Sequence, residues 1–412
     1  MRHFAFRSPP LSVAAPSLGD VRMIHTSDWH LGRAFHQVGL QSAQSAYLDH
    51  LVEVVRSESI DAVLVAGDVY DRALPAPDTV AMLSDAVERL IDAGAAVVLS
   101  SGNHDSAIRL GFAARLLEKS GLHIRTNLDD IGRPVWVSGV AIHPLPYLEP
   151  SLSAGSLGSS ERTHAGVLRA AMGRVRDALG AGSAAKSVVM AHAFVTGGAT
   201  SDSERDIAVG GVAAVPPDVF DGVDYVALGH LHGRQQVAEG VRYSGSPVAM
   251  SFSEASHVKG SWIVDLSDAS PNVDFVAAPV ERPLALLRGT LDELLTDRRH
   301  SDAESAWCQV TLTDPIRPLG AMERLRARFP YTLDLRFAPS GSVTTMSAYA
   351  ASLTERSDLD VCCDFLTHVR GGHGPDAGER GLLGEAVEGA RLRRNATAGE
   401  GEASSRHTSG AA

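Results

Sequence analysis

The sequence is short of cysteine, almost devoid of lysine and free of long apolar runs, and each shortage removes a class of function. Its only cysteines, Cys308, Cys362 and Cys363, include no CxxC pair. Adjacent cysteines rarely bridge each other, so a disulfide framework and a thiolate zinc site both fall away, and a reducing cytoplasm is the expected compartment. The lysines are Lys119, Lys186 and Lys259, and the rest of the 37 basic residues are arginines. A phosphate loop of the GxxxxGKS or GKT type is therefore absent, and with it that route to ATP. No stretch approaches the roughly 20 consecutive apolar residues that a membrane span requires. Residues 1–20 carry Arg2 and Arg7 but are interrupted by Pro9, Pro10 and Pro16, a poor secretory signal that reads as a disordered leader.

What is present is globular: 44% apolar and 21% charged residues over 412 positions, enough for two domains. The formal net charge of −12 argues against a uniformly basic nucleic-acid coat. It neither supports nor excludes a DNA partner, because cations bound in an acidic site would reverse the local sign.

From residue 21 onward short apolar runs alternate with longer amphipathic ones, an α/β rhythm. Strands are expected at Arg22 to Ser27, Ala62 to Ala66, Ala95 to Ser100, Val135 to His143, Ser187 to Ala191, Tyr225 to Leu228 and Trp262 to Leu266. Helices are expected near 40–57, 78–93, 107–119 and 161–179. A second region opens near 281 with a βαβαβ order: strands at Leu284 to Arg288, Trp307 to Leu312 and Thr332 to Phe337, with helices from Leu291 and over Ala321 to Arg328. That is a small α+β domain. Two further helices, 358–370 and 376–394, flank the GGHGP segment and are too short to stand alone, so they should dock on something. The expected division is a leader at 1–20, a large α/β domain at 21–280, a small domain at 281–345, a helical segment at 346–394 and a disordered tail at 395–412.

Five short motifs sit where strands end: SDWH (Ser27 to His30), GDVYD (Gly67 to Asp71), GNHD (Gly102 to Asp105), Ala191-His192 and GHLH (Gly229 to His232). In open α/β sheets the carboxyl ends of strands line the ligand crevice, so the five should converge. Each alone has a bland explanation. Asp28 and His30 fit a turn, Asp68 a strand terminator, Asn103 and Asp105 an Asx-turn capping a helix, and His192 a core histidine. Together they deliver two Asp, one Asn and four His to one crevice, which no common structural account explains. Carboxylate, amide and imidazole without thiolate suit Mn, Fe or Zn, and seven ligands match two ions about 3.5 to 4 Å apart. Asp68, central in the set and with two oxygens to share, is the natural bridge.

In this order the motifs resemble those of the calcineurin-like metallophosphoesterases: DxH, GDxxD, GNHD, H and GHxH. The resemblance narrows through HTSDWHLGR at 25–33, SERDIAVGG at 203–211, DYVALGHLH at 224–232 and YSGSPVAMSFSE at 243–254, which look like the SbcD group of nuclease subunits over residues 21–394. It places the usual start near Val21 or Met23. It implies a β-sandwich flanked by helices, a small α+β capping domain and C-terminal helices. It implies two divalent ions, manganese in the active form, one on Asp28, His30, Asp68 and His232, the other on Asp68, Asn103, His192 and His230. His104 would be catalytic, placed to steady the transition state or protonate the departing oxygen, with Asp105 either orienting it or merely capping a helix. Some relatives carry histidine where Asp71 stands, and a second catalytic histidine is absent here.

The implied activity is hydrolysis of DNA phosphodiesters: 3'-to-5' exonuclease on duplex ends and endonuclease on single strands and hairpins, in DNA repair, recombination and replication. The implied partners are the ATPase SbcC and a second copy of this chain, in a two-plus-two heterotetramer without a membrane. Leu359, Val361, Phe365, Leu366, Leu382, Leu383 and Val387 are the expected SbcC-docking face, or else pack on the small domain. Residues 203–211 and 244–254 are expected to shape the substrate groove. A small-nucleotide phosphodiesterase would use the same ligands, and a non-catalytic scaffold for SbcC is the other alternative.

Overall fold

A computed structural model describes residues 21–182, 184–204, 214–339 and 357–404. It divides into two compact units at Ala285 and Leu286. The leader, part of 203–211, the connector around 340–356 and the last residues of the tail lie outside the described residues.

The first unit holds two six-stranded sheets. One runs, in spatial order, Asn272–Ala277, Gly260–Asp265, Arg22–Thr26, Ala62–Ala66, Ala96–Ser100 and Leu122–Arg125. The other runs Gln235–Ala238, Val241–Tyr243, Tyr225–Gly229, Lys186–His192, Val140–Pro144 and Val135–Val137. In each sheet the central strands are parallel, and antiparallel strands close one edge of the first sheet and both edges of the second.

The central strands are apolar on both faces, as buried parallel strands must be. Met23, Ala62, Leu64, Val98, Val140, Ile142, Val188, Met190, Tyr225 and Ala227 meet between the sheets. The alternate residues Ile24, Val63, Val65 and Val97 face helices Gln41–Ser57 and Pro77–Asp92. Val189, Ala191, Val226 and Leu228 face helices Pro150–Leu157 and His164–Ala181. The result is a helix–sheet–sheet–helix sandwich, the expected α/β class. Each buried Val or Leu contributes about 1.5–3 kcal/mol relative to an exposed one.

The structure corrects several expected elements. The single strand over Val135 to His143 is a hairpin, broken at Ser138 (φ 47) and Gly139 (φ 87), a Ser-Gly turn signal that the apolar run masked. The helix over 107–119 is a set of single turns, because Ala113 takes a left-handed φ of 58. Six strands (Ala34–Phe35, Val38–Gly39, Leu122–Arg125, Gln235–Ala238, Val241–Tyr243 and Asn272–Ala277) and the helix Pro150–Leu157 were not expected. The strands are short or half exposed, which weakens the period-2 signal.

In the second unit Leu284–Gly289, Trp307–Leu312 and Thr332–Phe337 form a three-stranded sheet in that order, the last two parallel. Helices Leu291–Thr296 and Ala321–Arg328 pack together. Thr290 and Glu293 form a reciprocal capping box that starts the first of them. Helices Asp358–Val369 and Ala377–Ser404 pack on each other, tied by Arg370–Glu379, Arg380–Asp360 and Arg391–Asp358 ion pairs. The second helix runs on to Ser404, past the point where a disordered tail was expected. On this pair Phe365 and Leu382 stand exposed, while Leu359, Val361, Leu366, Leu383 and Val387 are half-buried.

Candidate metal centre

Five strands of the sandwich end within reach of one point. Arg22–Thr26 leads to Asp28 and His30, Ala62–Ala66 to Asp68, Ala96–Ser100 to Asn103 and His104, Lys186–His192 ends on His192, and Tyr225–Gly229 leads to His230 and His232. The chain reaches these positions through unusual backbone. Asp28, His30, Asp68 and His230 all have positive φ, at 53, 42, 48 and 103. Each such residue costs on the order of 1–3 kcal/mol and persists only where its surroundings enforce it. Here two loops enforce each other: the Asp28 N–H donates to the carbonyl of Gly67 at 3.1 Å and the His30 N–H to that of Asp68 at 3.0 Å. No side chain fits between the strand ends. A Cβ on Gly67, itself at φ +85, would lie 2.3 Å from His192 Nδ1, and one on Gly229 would lie 1.9 Å from the carbonyl of Ala66.

The structure brings together all seven residues expected as ligands. Asp28, His30 and His232 offer ligand atoms within 4.8 Å of one another, as do Asp28, Asp68 and His192, and His30, Asp68 and His104. Asn103 joins them through its Oδ1, 2.9 Å from His192 Nε2. His230 stacks edge-on against His192, ring centroids 5.4 Å apart, and its backbone N–H donates to both oxygens of Asp28. The Nε2 atoms of His30 and His232 face each other at 3.1 Å.

Electrostatics favour a cation here. Burial pushes the Asp28 carboxyl up to about 7 and the His230 imidazole down to about 3. Burial would also raise Asp68, but the imidazoles of His192, His30 and His104 hold its carboxylate well below the usual range. His192, also opposed by burial, is pushed up to about 9 by Asp68 and Asp28. Its Nδ1 lies 3.0 Å from the Ala66 carbonyl, which fixes that nitrogen as a donor and leaves Nε2 as the one that would serve a cation once its proton departs. A buried cluster of carboxylates and opposed imidazole nitrogens is costly without a counter-ion. Oxygen and nitrogen donors without sulfur fit a divalent cation of the Mn, Fe or Zn kind.

His104 is buried beside these residues, its Nε2 4.0 Å from Asp68 Oδ2 and its ring edge-on to His30. Its Nδ1 lies 2.8 Å from the carbonyl of Asp71. Asp105 is a correction. Its carboxylate accepts the backbone N–H groups of Val69, Tyr70 and Gly102, so it braces the GDVYD loop, and Ser106 caps the following turn. A backbone carbonyl, rather than Asp105, holds the His104 Nδ1. Asp71 has an evident role: besides that carbonyl, it presents Oδ1 3.5 Å from His30 Nδ1.

Sequence reasoning missed what stands behind His232. Ser203, Glu254 and Lys259 are buried there, inside or beside segments expected to shape a substrate groove. The available signal was compositional: Lys259 is one of three lysines in the chain.

The calcineurin-like phosphoesterase model matches residues 21–234, the stretch that carries all seven candidate ligands. The chain belongs to the calcineurin-like phosphoesterase family. Its members are metal-dependent phosphoesterases, which accounts for clustered Asp and His side chains that could hold a metal ion in this one. Downstream, residues 280–370 match the SbcD_C domain, described as the Type 5 capsule protein repressor C-terminal domain. Solved structures that resemble this phosphoesterase include TT1561 of Thermus thermophilus, at 11% identity and TM-score 0.37 over 62% of this chain and 99% of that one. A dimetal phosphatase from Danio rerio is 12% identical at TM-score 0.39, over 63% and 96%. GAP50 of Plasmodium is 12% identical at TM-score 0.36, over 78% and 98%.

Proposed function

We infer that this phosphoesterase is a two-metal DNA nuclease of the SbcD type, acting with the ATPase SbcC. The observation that carries the reading is the pairing of a buried Asp and His cluster at the strand ends with the SbcD_C match at 280–370. A phosphatase for small nucleotides explains the first and leaves the second idle.

Asp28, His30, Asp68 and His232 would hold one ion and Asp68, Asn103, His192 and His230 the other, with manganese the expected metal. Two such ions, when bound, supply Lewis-acid charge on the phosphate oxygens and lower the pKa of water enough for attack at neutral pH. The protein's own part is positioning. The paired loops fix the ligands before substrate arrives, and Asp71 turns His104 so that one ring nitrogen is committed to a carbonyl and the other faces the ligands. From there His104 would steady the phosphate or protonate the departing oxygen.

The proposed substrates are duplex ends, cut 3'-to-5', and single-stranded or hairpin DNA, in repair, recombination and replication. The helices over 358–394 would dock on SbcC through the face that includes Phe365 and Leu382, in a two-plus-two assembly with a second copy of this chain. A reducing cytoplasm suits the three cysteines, all of them free. Among the described residues no helix is long and apolar enough to cross a membrane.

The test compares wild type and His104→Ala on linear duplex DNA, single-stranded circles and a small phosphodiester. Each is run with Mn, Mg or chelator, and with or without SbcC and ATP. The reading expects DNA cleavage by wild type that needs the metal and rises with SbcC and ATP, and loss of cleavage in a variant that still binds metal. Hydrolysis of the small diester alone would overturn the DNA substrate, and no hydrolysis of any substrate would favour a scaffold.

A further inference from the structure

A chain of buried polar groups lies behind His232. Its Nδ1 is 2.6 Å from Ser203 Oγ. The Ser203 hydroxyl meets the carboxylate of Glu254, whose other oxygen takes the ammonium of Lys259. Lys259 also donates to the carbonyl of His232 and to Ser246 Oγ, both at 2.9 Å. Glu204 accepts the backbone N–H of His232 at 2.7 Å. Glu254 is 1% exposed and Lys259 8%.

The donors and acceptors of this chain can be arranged in one way. An ammonium only donates and a carboxylate only accepts. The single hydroxyl proton of Ser203 is therefore committed to Glu254, and its lone pairs face His232. Nδ1 must then carry the proton, which leaves Nε2 with a free lone pair pointing at His30 Nε2, 3.1 Å away. The same brace extends to His30. Arg33 donates to the Ser203 carbonyl at 3.0 Å and to Asp71 Oδ1 at 3.2 Å, and that oxygen stands 3.5 Å from His30 Nδ1. A buried ion pair is seldom a better filling for a core than apolar residues of the same volume, so its presence here calls for a role beyond packing.

We propose that Ser203, Glu254 and Lys259 are positioning residues that fix which nitrogen of His232 carries its proton and so present Nε2 to one of two cation sites. The proposal rests on the reading of this cluster as a metal centre but is independent of the DNA substrate.

The experiment is calorimetric titration of the metal-free full chain with manganese for wild type, Ser203→Ala, Ser203→Thr and the double variant Glu254→Gln/Lys259→Met. Thermal unfolding without metal is followed alongside. Ser203→Ala is expected to weaken one of two sites by about 10–100-fold, the size of effect seen when a ligand loses its outer hydrogen-bond partner, and to leave the other site unchanged. Ser203→Thr, which keeps the hydroxyl, is expected to restore that site. The double variant removes both buried charges, keeps an amide acceptor and is expected to weaken the same site. It carries the test if Ser203→Ala does not fold. The proposal is overturned if both sites weaken equally, or if folded variants bind both ions as wild type does. A wild-type chain that binds no pair of ions would remove the metal centre itself and this brace with it.

Discussion

The two sides of the centre are held in place by different means. On the His192 side the support is backbone: the Ala66 carbonyl at His192 Nδ1, and three backbone amides on Asp105, which steadies the loop after Asp68. On the His232 side it is side chains: Ser203, Glu254 and Lys259 behind His232, and Asp71 with Arg33 behind His30. The first kind of support comes with the strand ends themselves. The second is assembled from residues distant in sequence, as the His30 and His232 pair itself illustrates by its separation of 202. Side-chain support can be altered by one substitution, whereas backbone support gives way only when the fold does.

Asp68 belongs to both sides, and its substitution should have the largest effect. Asp68→Asn is expected to weaken both ion sites and to reduce phosphodiester hydrolysis by about 10³-fold or more, since the charge that stabilises the transferring group is lost with the ions. Retention of one full-affinity site in a titration would separate the two halves and contradict a bridging Asp68.

Gly67→Ala attacks the backbone-held side. The added methyl meets His192 at a position already in left-handed φ, so a stability loss of about 1–3 kcal/mol is expected in metal-free denaturant unfolding. An unchanged midpoint would show that the strand ends pack more loosely than the geometry says.

Asp71→Ala tests the other side. Affinity at one ion site should fall by about 10–100-fold with little change at the other. Asp105→Asn, by contrast, should act on stability and move both sites together, because it holds a loop rather than a ligand.

Proton release should separate the halves without mutation. In the metal-free chain His192 is pushed up to about 9 by Asp68 and Asp28, so at pH 7 it carries a proton that must leave before Nε2 can bind a cation. Affinity at the His192 site should therefore climb about tenfold per pH unit between pH 7 and 9, with roughly one proton released per ion. His232 and His30 are held below the ordinary histidine range, chiefly by burial, so their site should climb less steeply. Calorimetry in buffers of different ionisation enthalpy reads both slopes, and equal slopes would count against the assigned partition.

The smallest structural effect is expected on the C-terminal helices. Leu382 is 67% exposed, so Leu382→Asp should change stability by about 0.5 kcal/mol or less. If this face docks on SbcC, the same variant should lose capture of purified SbcC, and undiminished capture would remove Leu382 from the interface.

The candidate ligands were legible because they are local punctuation: short motifs of Asp, Asn and His directly after apolar strands, where the topology forces convergence. The central strands were legible for the same reason, since residues such as Val63 to Ala66 are buried on both faces and read as unbroken apolar runs. The hairpin at Ser138 and Gly139 was hidden by apolar residues on either side of a two-residue turn. Ala113 gives no hint in its chemistry of a left-handed backbone, so the broken helix around it could not be read from period alone. The brace behind His232 was illegible for a different reason. Ser203 and Lys259 are ordinary polar residues in loops and Glu254 ends a single 3-10 turn, and their meaning comes only from being buried together.

The most direct test of the account is the number of manganese ions that the metal-free full-length chain binds at neutral pH, measured by titration calorimetry and confirmed by metal analysis of the dialysed protein. The account predicts two ions per chain, both lost in Asp68→Asn. A single ion per chain, or two that survive loss of the Asp68 carboxylate, would contradict a paired centre bridged at that residue.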